Sequence, residues 1–237
     1  MGRTAAAVRA VVELLLSRVH PAAFEHHLRE AIALNRDRAP RYAALSGGAS
    51  RPISYALIAS EYLLLPVARW FDRRAAPYHE AGVPLLEDLF VPMASAPAFG
   101  SIRFIEVKTE GGALAPQPSA IRQRVAKAYR AGSFAGAAPA LAAELDALRD
   151  APLTDCLLRH LLESIHRLAT IAPHHIERCG ARGLPSPAPL LAQLFWMHLW
   201  GLAPAAALDR RARPLQLRGI PILAQDLPPI PAWSPAS

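Results

Sequence analysis

Cysteine is scarce in this chain. Its 237 residues include only Cys156 and Cys179, too few for a disulfide framework and without the spacing of a metal knuckle. Lysine is almost missing: of 26 basic residues only Lys108 and Lys127 are lysine, and the rest are arginine. Charged residues make up 19% of the chain against 52% hydrophobic. That ratio excludes a wholly disordered protein. No Gly-x-Ser-x-Gly elbow, Rossmann fingerprint, Gly-x-x-x-x-Gly-Lys phosphate loop, His-Glu-x-x-His pair or EF-hand loop is present, so the enzyme classes those motifs mark have no foothold. No internal repeat and no heptad run stand out.

What is abundant is proline, 23 residues, together with alanine and arginine. This skew reads as the coding bias of a GC-rich genome. The net charge is +7, but the arginines are spread along the chain. An excess of that kind speaks to non-specific association, so nucleic acid is not the expected partner. The one local cluster is Arg122, Arg124, Lys127 and Arg130, with no acid between Glu110 and Glu144. It reads either as a site for an anionic partner or as a solvated basic helix.

The fold class is mainly α. Apolar periodicity, with prolines as punctuation, predicts helices over residues 4–19, 22–35, 52–74, 119–130, 137–149, 152–171 and 190–203. A Pro-rich insertion over 75–118 carries one short strand, 102–108, and its 78–93 stretch could serve as a lid. A second strand over 215–223 would pair with the first, and an extended Pro-rich tail follows. The expected domains are a helical bundle over 1–213, with the insertion as part of it, and a strand plus tail over 214–237.

Residues 183–208 contain no charged side chain, a length that would suffice for a membrane span. Pro185, Pro187, Pro189 and Pro204 leave only 190–203 as clean helix, which suits a buried core helix better. Peripheral membrane contact through Trp196 and Trp200 is a weaker reading. Arg9 and Glu13 interrupt the apolar start, which makes it a poor secretory signal. The cytoplasm is the expected compartment.

Helical phase singles out polar residues on apolar faces. Glu61 lies at the edge of the face formed by Ile53, Leu57, Leu64 and Phe71. His198 shares a face with Leu191, Leu194 and Leu202. Asn35 projects onto the Phe24–Leu28–Ile32 face, and His27 lies at its edge. An ionised carboxylate in such a place needs a cation or donors, or it takes up a proton. Glu61, His198 and His27 are therefore the candidate catalytic residues and the candidate metal ligands. Asn35, with His79 and Glu80 of the Pro-rich middle, is a candidate for cofactor contact. Carboxylate plus imidazole from facing helices is how bundles build iron or manganese sites, and a haem would also fit. The plain alternative is core polar residues bonded to backbone or to buried water.

Weaker metal candidates are Glu163 and His166, in a Glu-x-x-His spacing that phase puts on a solvated face with Arg159 and Arg167. His174, His175 and Glu177 are others, placed by the sequence on a surface loop or helix end. The bundle loosely resembles haem-oxygenase-like and ferritin-like enzymes at the level of fold alone, which does not settle function. Two functions follow as expectations. One is an enzyme with a buried carboxylate/histidine site, a metal- or haem-dependent oxidoreductase of a biosynthetic pathway acting on a small apolar substrate. The other is a non-catalytic partner protein docking through Trp196, Trp200 and the Pro-rich tail.

Overall fold

The computed structural model describes residues 23–90, 92–100, 117–148 and 156–230. Among these are five long helices: α1 (Ala23–Ser46), α2 (Arg51–Glu80), α3 (Pro118–Ala147), α4 (Cys156–Ala181) and α5 (Ala188–Gln216). One 3-10 turn, Met93–Ser95, lies between α2 and α3. The helical bundle expected from the sequence is present. α1 pairs with α2, α4 with α5, and α3 with α4, while α5 also touches α2 and α3.

The helices run further than the sequence reading allows, because prolines do not end them. Pro40 sits inside α1, Pro66 and Pro77 inside α2, Pro173 inside α4, and Pro204 and Pro214 inside α5. Each removes one backbone bond, but buried residues precede all of them, and except at Pro77 buried residues of the same helix follow. Ile171 and Ala172 precede Pro173, and His175 and Cys179 follow it. Burial on the far side outweighs the lost bond.

The expected insertion shrinks accordingly. Residues 75–80 are the end of α2, and Val83, Leu85, Leu86 and Leu89 are core residues, so this stretch is packed rather than poised as a lid. The expected strand at 215–223 is not one: Leu215 and Gln216 close α5 and turns follow. Its proposed partner, 102–108, lies outside the described residues, and no strand occurs among those described.

α3 bends sharply. Gly132 (φ −145°, ψ 18°) and Ser133 (φ 52°, ψ −142°) leave helical geometry, dividing the two helical segments the sequence predicts. The segments fold back closely: a Cβ on Gly136 would come within 2.5 Å of the Ala128 carbonyl oxygen, so only glycine fits there. Arg124 bridges the bend with a two-pronged ion pair to the buried carboxylate of Glu144, at 2.5 and 2.8 Å.

The structure brings out an internal repeat that the sequence reading misses. Residues 27–52 correspond to 160–185, 133 positions on: His-Leu, Glu, Ile, Ala-Pro, Gly and Pro recur in register. Residues 52–93 correspond to 189–230, 137 positions on. There Asp72-Arg-Arg-Ala75, Pro77, Gly82, Pro84 and Leu86 return as Asp209-Arg-Arg-Ala212, Pro214, Gly219, Pro221 and Leu223. The register changes in the loops between paired helices, where the second copy is longer.

Geometry repeats with the sequence. The Asp72 carboxylate accepts the backbone N–H groups of Phe24 (3.0 Å) and Glu25 (2.8 Å) at the start of α1. Asp209 accepts those of Leu157 (3.1 Å) and Leu158 (2.8 Å) at the start of α4. These are tertiary N-caps from the partner helix of each hairpin. Both second helices end in the same motif: Gly82 (φ 75°) and Gly219 (φ 80°) turn left-handed. Val83 N donates to the Tyr78 carbonyl and Ile220 N to that of Leu215, closing the helix ends.

The copies meet reciprocally. The segment after α2 docks on α4, where Arg167 donates to the Asp88 carbonyl at 2.6 Å. The segment after α5 docks on α1, where Arg38 donates to the carbonyl of Gln225, the counterpart of Asp88. The two arginines are not counterparts, since Arg38 pairs with Ile171 and Arg167 with Leu34, so the exchange is one of segments and acceptor positions.

Candidate functional site

A cavity of about 490 Å³ lies between the two copies. Eleven of the twelve first-copy residues on its wall have their counterpart on the wall as well. The pairs include Phe24 with Leu157, His27 with His160, Glu61 with His198, Phe90 with Leu227 and Met93 with Ile230. The pseudo-twofold axis therefore runs through the cavity. Most of the wall is aliphatic or aromatic, as ligand cavities generally are.

The polar groups on this wall are few. Glu61 is 9% exposed, on the inner face of α2. Its Oε1 accepts the side-chain amide of Asn35 at 2.7 Å. Its Oε2 is buried and has no hydrogen-bond partner among the described residues. Burial pushes its pKa up to about 8, against the pull of the Asn35 bond and with help from nearby Asp226. Glu61 is therefore a neutral acid at pH 7. Because Asn35 donates to Oε1, the proton belongs on Oε2.

His198 sits on α5 with its ring nitrogen Nδ1 2.8 Å from the Leu194 carbonyl. A carbonyl only accepts, so Nδ1 carries the hydrogen and Nε2 keeps a lone pair. Burial lowers its pKa, and His27 adds to the effect. His160 is held neutral too: burial, with His27 and His198 nearby, takes its pKa down to about 4, and it donates to the Pro228 carbonyl. His27 packs its ring 5.3 Å from that of Phe90.

One acidic group on the wall is internally matched. Asp226 accepts from Tyr42 Oη (2.9 Å) and the Leu223 amide (2.9 Å), with Arg38 at 3.4 Å. Burial raises its pKa, while these bonds and Arg38 lower it.

The structure thus brings Glu61, His27 and His198 to one cavity, with Asn35 behind Glu61. It does not bring the other sequence candidates there. His79 accepts the Leu86 amide at 3.3 Å and lies 3.8 Å from Glu87. Glu80 and Glu177 are exposed. Glu163 and His166 are half-buried, off the cavity wall and not on the solvated face expected of them.

His174 is half-buried beside His175. His175 corrects the surface placement: it is fully buried, 3.4 Å from Asp88. Burial, with His174 and Arg178 nearby, lowers its pKa to about 4, so this approach is not an ion pair at neutral pH. Among the described residues, no three of His, Cys, Asp or Glu are grouped closely enough to hold a metal ion.

Two residues escape the sequence reading, His160 and Asp226. The missing signal was the repeat itself: once His27 is singled out, His160 is its counterpart.

The tryptophan face is partly covered by this chain's own α3. Tyr129 meets Trp196 edge-on at 5.4 Å, and the Arg122 guanidinium lies 4.2 Å over the ring of Trp200. Trp200 itself is 61% exposed. The basic cluster is partly spoken for by these contacts and by the Arg124–Glu144 pair. α5 is the one helix among the described residues that is long and apolar enough to cross a membrane. Its buried Asp209, capping α4, makes it a core helix of this bundle. Of the Pro-rich tail, residues 227–230 reach the cavity wall through Leu227 and Ile230; 231–237 lie outside the described residues. No family model matches the chain, and neither the curated proteins nor the solved structures compared with it contain a match.

Proposed function

We propose that the protein is an enzyme that takes a small, uncharged, largely apolar molecule into the central cavity and moves protons on it. Glu61 Oε2 gives a proton and His198 Nε2 receives one, with His27 and His160 on the same wall. The observation that carries this reading is that an apolar cavity is lined by a carboxyl group with one buried, unpartnered oxygen and by an imidazole, both shifted to their neutral forms. Opposed shifts of this kind set up acid and base roles at pH 7. A charged ligand would meet no free countercharge there, at a heavy desolvation cost.

The test is displacement of the uncharged fluorophore N-phenyl-1-naphthylamine. A long-chain alcohol should displace it and the carboxylate of equal length should not. Equal displacement by both, or no saturable binding, overturns the proposal.

A second reading is a haem or metal group held through His198. It is favoured by the Leu194 carbonyl behind Nδ1, the support a ligating histidine usually has. Absorbance and metal content of the purified protein test it.

A further inference from the structure

We infer that the ligand carries two hydrogen-bonding groups on opposite sides of an apolar body, an acceptor such as a ketone facing Glu61 and a hydroxyl facing His198. This rests on the reading of the cavity as a site for a neutral apolar molecule, and adds to it the ligand's polarity.

Glu61 and His198 occupy the same position in the two copies, 137 residues apart. The axis relating the copies passes through the cavity, as the paired walls require. The two side chains therefore face the cavity from opposite sides. Ala31 with Ser164, Ser60 with Met197 and Leu89 with Asp226 are polar in one copy only, whereas Glu61 and His198 are a pair polar in both and different in chemistry; Leu57 with Leu194 and Phe90 with Leu227 stay apolar in both.

The direction of each bond follows from the neighbours. Asn35 donates to Oε1 of Glu61, so Oε2 bears the proton and offers a donor. That oxygen is buried without a partner among the described residues. An unmet buried polar atom is costly, and a ligand acceptor would relieve it. On the far side Nδ1–H of His198 is committed to the Leu194 carbonyl, so Nε2 offers an acceptor. A diketone would leave Nε2 unmet, and a diol would meet the Glu61 proton with a weaker acceptor. A hydroxy-ketone satisfies both.

Four bicyclic compounds of one carbon frame test this on the full chain: 6-hydroxy-1-tetralone, 1-tetralone, 5,6,7,8-tetrahydro-2-naphthol and tetralin. Their affinities are read by displacement of N-phenyl-1-naphthylamine. The hydroxy-ketone should bind about tenfold more tightly than either single-headed compound, which is what one good hydrogen bond gives. Glu61→Leu should abolish the advantage of the ketone and leave that of the hydroxyl; His198→Leu should do the reverse.

The series on the unaltered protein decides the matter even if a variant fails to fold. Four equal affinities overturn this inference and leave the apolar-site reading standing. Failure of all four to bind removes both. A ketone preference that follows His198 instead of Glu61 overturns the assigned polarity.

Discussion

Asn35 donates its side-chain amide to Oε1 of Glu61 at 2.7 Å, deep between α1 and α2, and leaves Oε2 facing no partner among the described residues. One bond to one oxygen fixes where the proton of a buried acid must sit.

The first prediction concerns pH. Glu61 has a folded pKa of about 8, above its ordinary 4.5. Between these values the folded state binds more protons than the unfolded, so this group's contribution falls as pH rises across the window. Unfolded histidines titrate around pH 6.5 with the opposite sign, so the share of Glu61 is read as the difference between the unaltered protein and Glu61→Gln, with a slope of at most about 1.4 kcal/mol per pH unit that halves near pH 8. Urea melts of both proteins at pH 6.5, 7.25 and 8 should show the unaltered protein losing stability relative to the variant as pH rises.

The opposite sign belongs to His160 and His175. Both have folded pKa values of about 4, below the ordinary 6.5. The unfolded state binds more protons between pH 4 and 6.5, so stability rises with pH there. His175→Leu should raise the stability measured at pH 5 more than that measured at pH 7.5. Equal changes at both values would contradict the assignment.

The tertiary caps should be equivalent. Asp72→Ala and Asp209→Ala each strip the first backbone donors of a helix, α1 and α4 respectively. Each should cost about 1–2 kcal/mol. The double variant should lose the sum, since the two sites share no partner. Chemical denaturation of the three variants checks this.

Helix endings provide a matched pair as well. Gly82→Ala and Gly219→Ala place a Cβ on a left-handed residue at equivalent positions. Each should destabilise by about 1–2 kcal/mol. Arg38→Ala should cost more, about 3 kcal/mol, because it leaves the buried Asp226 carboxylate without its cation.

How much of this was legible in the sequence depends on the scale of the signal. The helices among the described residues were, because apolar residues at 3–4 spacing report a buried face; the one expected over 4–19 lies outside those residues. So were Glu61, His198, His27 and Asn35, whose phase placed them inward. Helix ends were not legible, since Pro40 and Pro173 look like stops and only tertiary burial beyond them keeps the helix going. The strand at 215–223 failed for a related reason. Its apolar residues are spaced by a glycine-terminated helix end and a packed turn, not by a pleat. His175 was misread because two adjacent histidines after a proline resemble a surface loop. The repeat was obscured by its own register shift, from 133 to 137 positions in the interhelical loops. With it went His160, the cavity residue that no local pattern marks.

The most direct measurement is the carboxyl carbon titration of glutamate by NMR, comparing the unaltered protein, labelled with 13C at the glutamate carboxyls, with Glu61→Gln. The account predicts one glutamate resonance, missing in the variant, that titrates with a midpoint near 8. If every glutamate titrates near its ordinary value, Glu61 is ionised in the cavity at neutral pH and the neutral acid at the centre of this account does not exist.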